Sequence, residues 1–126
     1  MDDAERAARG MQARREVLGD AHVDRAVANT TEFTADFQDF ITRCAWGEVW
    51  TRPGLSRVER SIVTLTALLV LRQEHEFAMH VRAAFRNGMT REQLKEVLLH
   101  AAVYAGVPAA NRAFAIAAEV LETDGG

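Results

Sequence analysis

Apolar side chains return every three or four residues along most of this chain, and nowhere do they alternate singly with polar ones. A period of about 3.6 residues is that of helices laid on a core, so the pattern predicts an all-α fold of about six to seven helices. The first spans Asp2 to about Leu18: acids come early, Arg14 and Arg15 late, the order that complements a helix dipole, and Gly19 stops it. Gly10 weakens its middle. A short helix follows at about Ala21–Ala28. Asn29-Thr30-Thr31 then offers caps for a third helix from Glu32 to about Trp46, with Phe33, Phe37, Phe40 and Ile41 on one packing face. Trp46 to Leu55, with its Pro53-Gly54 turn pair, is the longest irregular stretch.

Ser56-Arg57-Val58-Glu59 has the form of a capping box and opens a helix to about Leu71 that is apolar nearly all round, the mark of a central buried element. Gln73 to Asn87 forms the next helix, ended by Gly88. Thr90-Arg91-Glu92-Gln93 is a second capping box, and its helix buries Leu94, Val97, Leu98 and Ala101. Gly106-Val107-Pro108 breaks it, Pro108 starts the last helix, and Thr123 to Gly126 are expected to fray.

Composition narrows the function. With 126 residues, 48% of them hydrophobic, the chain makes one domain, 1–126, whose modest core would gain from contacts between copies. A net charge of -3, from 15 basic and 18 acidic residues well mixed, argues against nucleic acid or a membrane surface as partner. Cys44 is the one cysteine, so no intramolecular disulfide, redox pair or thiolate metal cluster is available. No run approaches the roughly 18 apolar residues of a membrane span, and a soluble cytoplasmic protein is expected.

Chemistry concentrates on the Gln73–Asn87 helix. Glu76 and His80 stand about 40° apart on its wheel, beside Phe77 and Ala84 and opposite Glu74, Arg82 and Arg86, so their ridge is predicted to face inward. The pair is either a weak intrahelical contact or a tuned acid–base couple. His75 and His80, five apart, diverge by about 140° and cannot share a metal from one helix, so no metal is expected. His100 and Tyr104, one turn apart, either add a polar lining or are satisfied core residues. Arg52 and Arg60 are either solvated or anchors for an anionic substrate. Trp46 and Trp50 wall a cavity or seal the core. Cys44 reads as inert packing.

Several segments together carry a family resemblance: Arg15 to Val23, Phe37 to Arg43, Trp46 to Leu55, His80 to Ala84, Glu96 to His100 and Tyr104 to Ala110. From about residue 5 to residue 122 the chain resembles the 4-carboxymuconolactone decarboxylase family, within the alkyl hydroperoxidase D-like superfamily. Cys44 stands where an aromatic is usual there and Val58 where a basic residue is usual. Peroxidase members of the superfamily carry Glu-x11-Cys-x2-Cys-x3-His; laid back from His80, those positions are Ser61, Gln73 and Glu76, so the thiol pair that peroxidase chemistry needs is missing.

The resemblance implies a compact helical fold, self-association as a trimer or hexamer, and no cofactor. It further implies loss of a ring carboxylate from a dianionic lactone, in the β-ketoadipate route of protocatechuate breakdown. In that substrate the departing carboxylate is vinylogous to the lactone carbonyl, which therefore takes up the electron pair. The protein has to hold a dianion, for which Arg60 and Arg52 are the candidates. It has to stabilise the oxyanion, from Tyr104, His100 or a tryptophan N–H, and to protonate the carbon beside the carbonyl, from His80 backed by Glu76. A non-catalytic helical oligomer binding a small organic acid, or a peroxidase-like relative acting through Cys44, are the alternatives.

Overall fold

The computed structural model describes residues 2–123, so the expected fraying lies, from Asp124 on, outside the described residues. Among these, the elements run α1 (Asp3–Leu18), α2 (Asp20–Ala28), α3 (Ala35–Ile41), a π-helix (Thr42–Val49), α4 (Arg57–Val70), α5 (Glu74–Arg86), α6 (Arg91–Ala105) and α7 (Val107–Thr123), with no strand. The all-α reading is correct. Contacts group the chain into two compact units, Met1–Ser56 and Arg57–Gly126.

In the first unit, α1 starts where its acids place it, the Asp2 side chain accepting the Glu5 N–H at 2.8 Å. Its principal neighbour is the π-helix. A Cβ on Gly10 would overlap the carbonyl oxygen of Thr42, and one on Gly47 would overlap that of Arg6. The two backbones therefore touch with no side chain between them, and the glycine that lowers helix propensity in α1 is what admits this contact. Thr42–Val49 winds with i→i+5 hydrogen bonds, a pattern seen again where Trp50 N–H donates to Ala45 O at 3.0 Å. The third helix thus departs from expectation: its regular part begins only at Ala35, and the π turns carry it through Trp46, leaving 50–56 irregular. Phe33, Phe37 and Phe40, expected to pack, are 95%, 60% and 53% exposed.

The second unit holds a continuous apolar core in which Leu65, Leu69, Phe77, Val81, Ala84, Leu94, Leu98, Ala113 and Val120 meet. Each larger side chain taken out of water there contributes about 1.5–3 kcal/mol. Buried positions on α4 are Ser61, Leu65 and Leu69, one per turn, while Val63 and Val70 are more than half exposed, so α4 is buried along a stripe and not all round. A three-residue turn with Arg72 at φ 58° reverses the chain into α5, which packs antiparallel on α4. The second capping box forms as read: Thr90 Oγ1 accepts Gln93 N–H at 3.1 Å and Gln93 Oε1 accepts Thr90 N–H at 2.9 Å.

Candidate active site

His80 lies mid-way along α5, in a stripe with Phe77, Val81 and Ala84 that is the helix's buried face. It is 8% exposed, and its Nδ1 is shielded from solvent. Glu76 departs from the expected inward ridge: it is exposed, as are Gln73, Glu74 and His75 around it. A helical wheel fixes the angle between Glu76 and His80 but not how far along the axis the neighbouring helices reach, and the first turn of α5 stays in water.

Two polar contacts pin α5 at its ends. At the N-terminal end Arg112 of α7 grips Glu74 in bidentate fashion, Nε to Oε2 at 3.1 Å and Nη2 to Oε1 at 2.9 Å. Those hydrogen bonds hold the Glu74 carboxyl below the ordinary carboxylate range and raise the Arg112 guanidinium above its own. At the C-terminal end Asn87 Nδ2 donates to Ser61 Oγ at 2.9 Å, and Ser61 is fully buried. Asn87 and His80 are seven residues apart, so they share one face of α5 about 10 Å apart, and the Ser61 bond fixes the register in which that face meets α4. Sequence reasoning missed both contacts. Asn87 was legible only as a helix terminus, and nothing local ties Arg112 to a carboxylate far back in the chain.

The remaining candidates fall into separate groups. In the second unit His100 and Tyr104 stack at 5.6 Å between ring centroids and, with Glu96, Thr66 and apolar Ile62, Val70, Val97 and Ala101, line an open hollow of about 400 Å³. Both rings are exposed, Tyr104 at 82%, so neither is a satisfied core residue. Arg60 of α4 is half-buried. In the first unit Trp46, buried, stacks on Trp50 at 5.1 Å with 24° between the planes, and the π-helix is what carries Trp46 into that position. Arg52, on the irregular stretch after it, is exposed, and Cys44 is half-buried. No three His, Cys, Asp or Glu side chains gather as a metal site among the described residues.

Residues 35–119 match the family model described as the carboxymuconolactone decarboxylase family. The chain belongs to that family. It is 52% identical over 122 residues to a 4-carboxymuconolactone decarboxylase of Acinetobacter baylyi, covering 97% of this chain and 91% of that protein. It is also 42% identical over 107 residues to the nitrosuccinic acid decarboxylase npaB of Metarhizium robertsii, covering 85% of this chain and 75% of that one. A 48-residue Pseudomonas putida sequence named 4-carboxymuconolactone decarboxylase matches at 52% over its whole length, 38% of this chain. Membership carries the class of enzyme with it: the chain is a decarboxylase, a carboxy-lyase. Among the described residues no helix is long and apolar enough to cross a membrane.

Proposed function

We propose that this carboxymuconolactone decarboxylase family member converts 4-carboxymuconolactone to β-ketoadipate enol-lactone and carbon dioxide, in the cytoplasm, as a step of protocatechuate breakdown. The observation that carries this reading is the 52% identity, across nearly all of both chains, to a protein of that name. In the reaction the bond from the ring carbon to its carboxylate breaks. Its electron pair moves through the ring double bond to the lactone carbonyl, and a proton is then delivered to the carbon beside that carbonyl. His80 is assigned as the donor, since its burial on α5 keeps bulk water from competing for the site. Glu76, one turn earlier, is exposed and is given no part in the proton transfer. Within the second unit, Arg60 is assigned to a substrate carboxylate, and His100 and Tyr104 to a wall and to the developing oxyanion.

Self-association is part of the proposal. Val103, Tyr104 and Val107 are 77%, 82% and 68% exposed, and the hollow beside His100 is open, which supports a second copy covering this face. Sedimentation of the purified protein as a monomer at micromolar concentration would remove this part.

The test is to add the protein to freshly generated carboxymuconolactone and follow enol-lactone and carbon dioxide. Turnover by wild type, falling about 10²–10⁴-fold in His80→Gln with unchanged melting temperature, is the expected result. Wild-type turnover by His80→Gln would remove His80 from the reaction, and no carbon dioxide from wild type would remove the substrate. The likeness to npaB gives a second reading, nitrosuccinic acid as substrate. There a nitro group, not a lactone carbonyl, sits beside the departing carboxylate as the electron sink, and release of carbon dioxide from nitrosuccinate but not from the lactone would favour it. No observation favours the non-catalytic binder or a Cys44 peroxidase.

A further inference from the structure

Two surfaces of this chain, one in each unit, are left open with opposite shapes and opposite charge. In the first unit Phe33, just before α3, and Phe37 and Phe40 on it follow at spacings of four and three residues, so they form one ridge. They are 95%, 60% and 53% exposed. At roughly 200 Å² for a whole phenylalanine side chain, the ridge puts about 400 Å² of aromatic surface into water, a patch of the size that marks an interaction site. Exposed Glu32, Asp36 and Asp39 flank it, with Arg43 bound to Asp39 at 2.9 Å, so the ridge is rimmed by an excess of acid.

In the second unit α6 and α7 leave a groove of about 250 Å³ between them. Leu94, Leu98, Phe114 and Leu121 make its floor apolar, and Ala117 and Ala118 give it depth by carrying only a methyl group each. An apolar cavity of about 150 Å³ takes a benzene molecule, so this groove has room for a phenyl ring. Arg91 and Lys95, one turn apart on α6, line it together with Glu92, which bonds Lys95 at 2.8 Å, so two cations face one carboxylate.

A ridge meeting a ridge would set acid against acid and fill no concavity, and a groove meeting a groove would leave both empty. A ridge entering a groove buries the phenyl rings and brings an acidic rim to a basic one. Every copy carries both surfaces, so the occupant that each fits is a second copy of this chain, and the contact uses different patches on the two copies. The ridge alone supplies about half of the roughly 800 Å² that one partner gives to a standard interface, and the charged rims lie where the remainder falls.

We propose that the ridge of Phe33, Phe37 and Phe40 on one copy seats in the α6–α7 groove of the next, head to tail. This contact is distinct from the face around Tyr104 and does not rest on the decarboxylase reading.

Sedimentation of the purified protein at micromolar concentration is the first measurement, and wild type is expected to run as an assembly. Phe37→Asp on the ridge and Ala118→Trp, which plugs the groove, are each expected to weaken assembly about thirtyfold or more. The sharper pair sits on the rims: Asp36→Lys and Lys95→Glu should each weaken it about tenfold, and both reversals in one chain should restore it. A monomeric wild type, ridge and groove variants that assemble as wild type does, or a double reversal no tighter than the single ones would each overturn the contact. A cross-link separates two copies from one chain. In a Cys44→Ser background, Phe37→Cys with Ala118→Cys, oxidised with copper phenanthroline, is expected to give chains joined to one another on a denaturing gel. A disulfide closed within one chain, or none at all, would overturn the head-to-tail contact. An assembly lost in Tyr104→Asp and intact in the ridge and groove variants would leave the Tyr104 face standing and overturn this one.

Discussion

The two units of this chain solve the burial problem in opposite ways. In the first, α1 and the π-helix meet backbone to backbone at Gly10 and Gly47, and their closest approach is made by leaving side chains out. In the second, α4 and α5 meet through stacked side chains, Leu65 and Leu69 against the stripe of Phe77, Val81 and Ala84, with a polar pin at Ser61–Asn87. One region is sensitive to atoms added, the other to atoms removed. The difference teaches that glycine in a helix and an apolar stripe on a helix can do the same work, although propensity scales rate the first as a defect.

Substitutions that add or delete a few atoms should separate the two regions. The largest effect is expected from Gly10→Ala, because the new methyl would meet the Thr42 backbone, which has nowhere to go. A loss of about 4 kcal/mol or more, read as urea unfolding at much lower denaturant or as insoluble protein, is the expected outcome. A Gly10→Ala protein that melts like wild type would show that α1 and the π-helix slide apart freely. Next comes Leu65→Ala on the fully buried stripe, expected to cost about 3 kcal/mol through lost contact and a residual cavity. Retained stability there would mean that α4 collapses onto α5 without its filler.

Ser61→Ala follows, at about 1–2 kcal/mol, since it strips Asn87 Nδ2 of a buried acceptor. If Ser61 also sets the register of His80, kcat should fall more than KM moves. A change confined to the melting temperature would leave Ser61 as packing alone. The smallest effect belongs to the exposed Glu74–Arg112 clamp, where Glu74→Gln should lower the melting temperature only slightly. Because the Glu74 carboxyl is depressed in the folded chain, the stabilisation is present above its unfolded pKa and is lost as pH falls through the lower folded value. The gap between wild type and Glu74→Gln in melting temperature should therefore close in acid. A gap unchanged down to strongly acidic pH would show that the charge plays no part.

Much of the second unit could be read from the residues. The turns at Gly88 and Gly106 and the box at Thr90 are local signals, and the structure ends and starts its helices there. What escaped reading depends on partners distant in sequence. The widening of Thr42–Val49 has no local residue signal; it goes with a neighbouring helix close enough to touch, and that closeness comes from two glycines thirty-seven residues apart. Arg14 looked like a charge favourable at a helix end, because its burial is decided by Gln38 and Thr42. Glu76 looked inward because its angle on the helix was right, while its axial position was not. For His80 the stripe was legible and its burial followed.

A segment wound with the wider five-residue spacing is ordinarily a place where a chain bends. In this protein the same segment is clamped along its length by α1, main chain against main chain, and cannot open without α1 leaving too. Amide hydrogens of Thr42–Val49 and of the middle of α1 should consequently trade with deuterium at one common rate, as a single cooperative block, so that loops elsewhere are left to supply whatever motion admits a ligand.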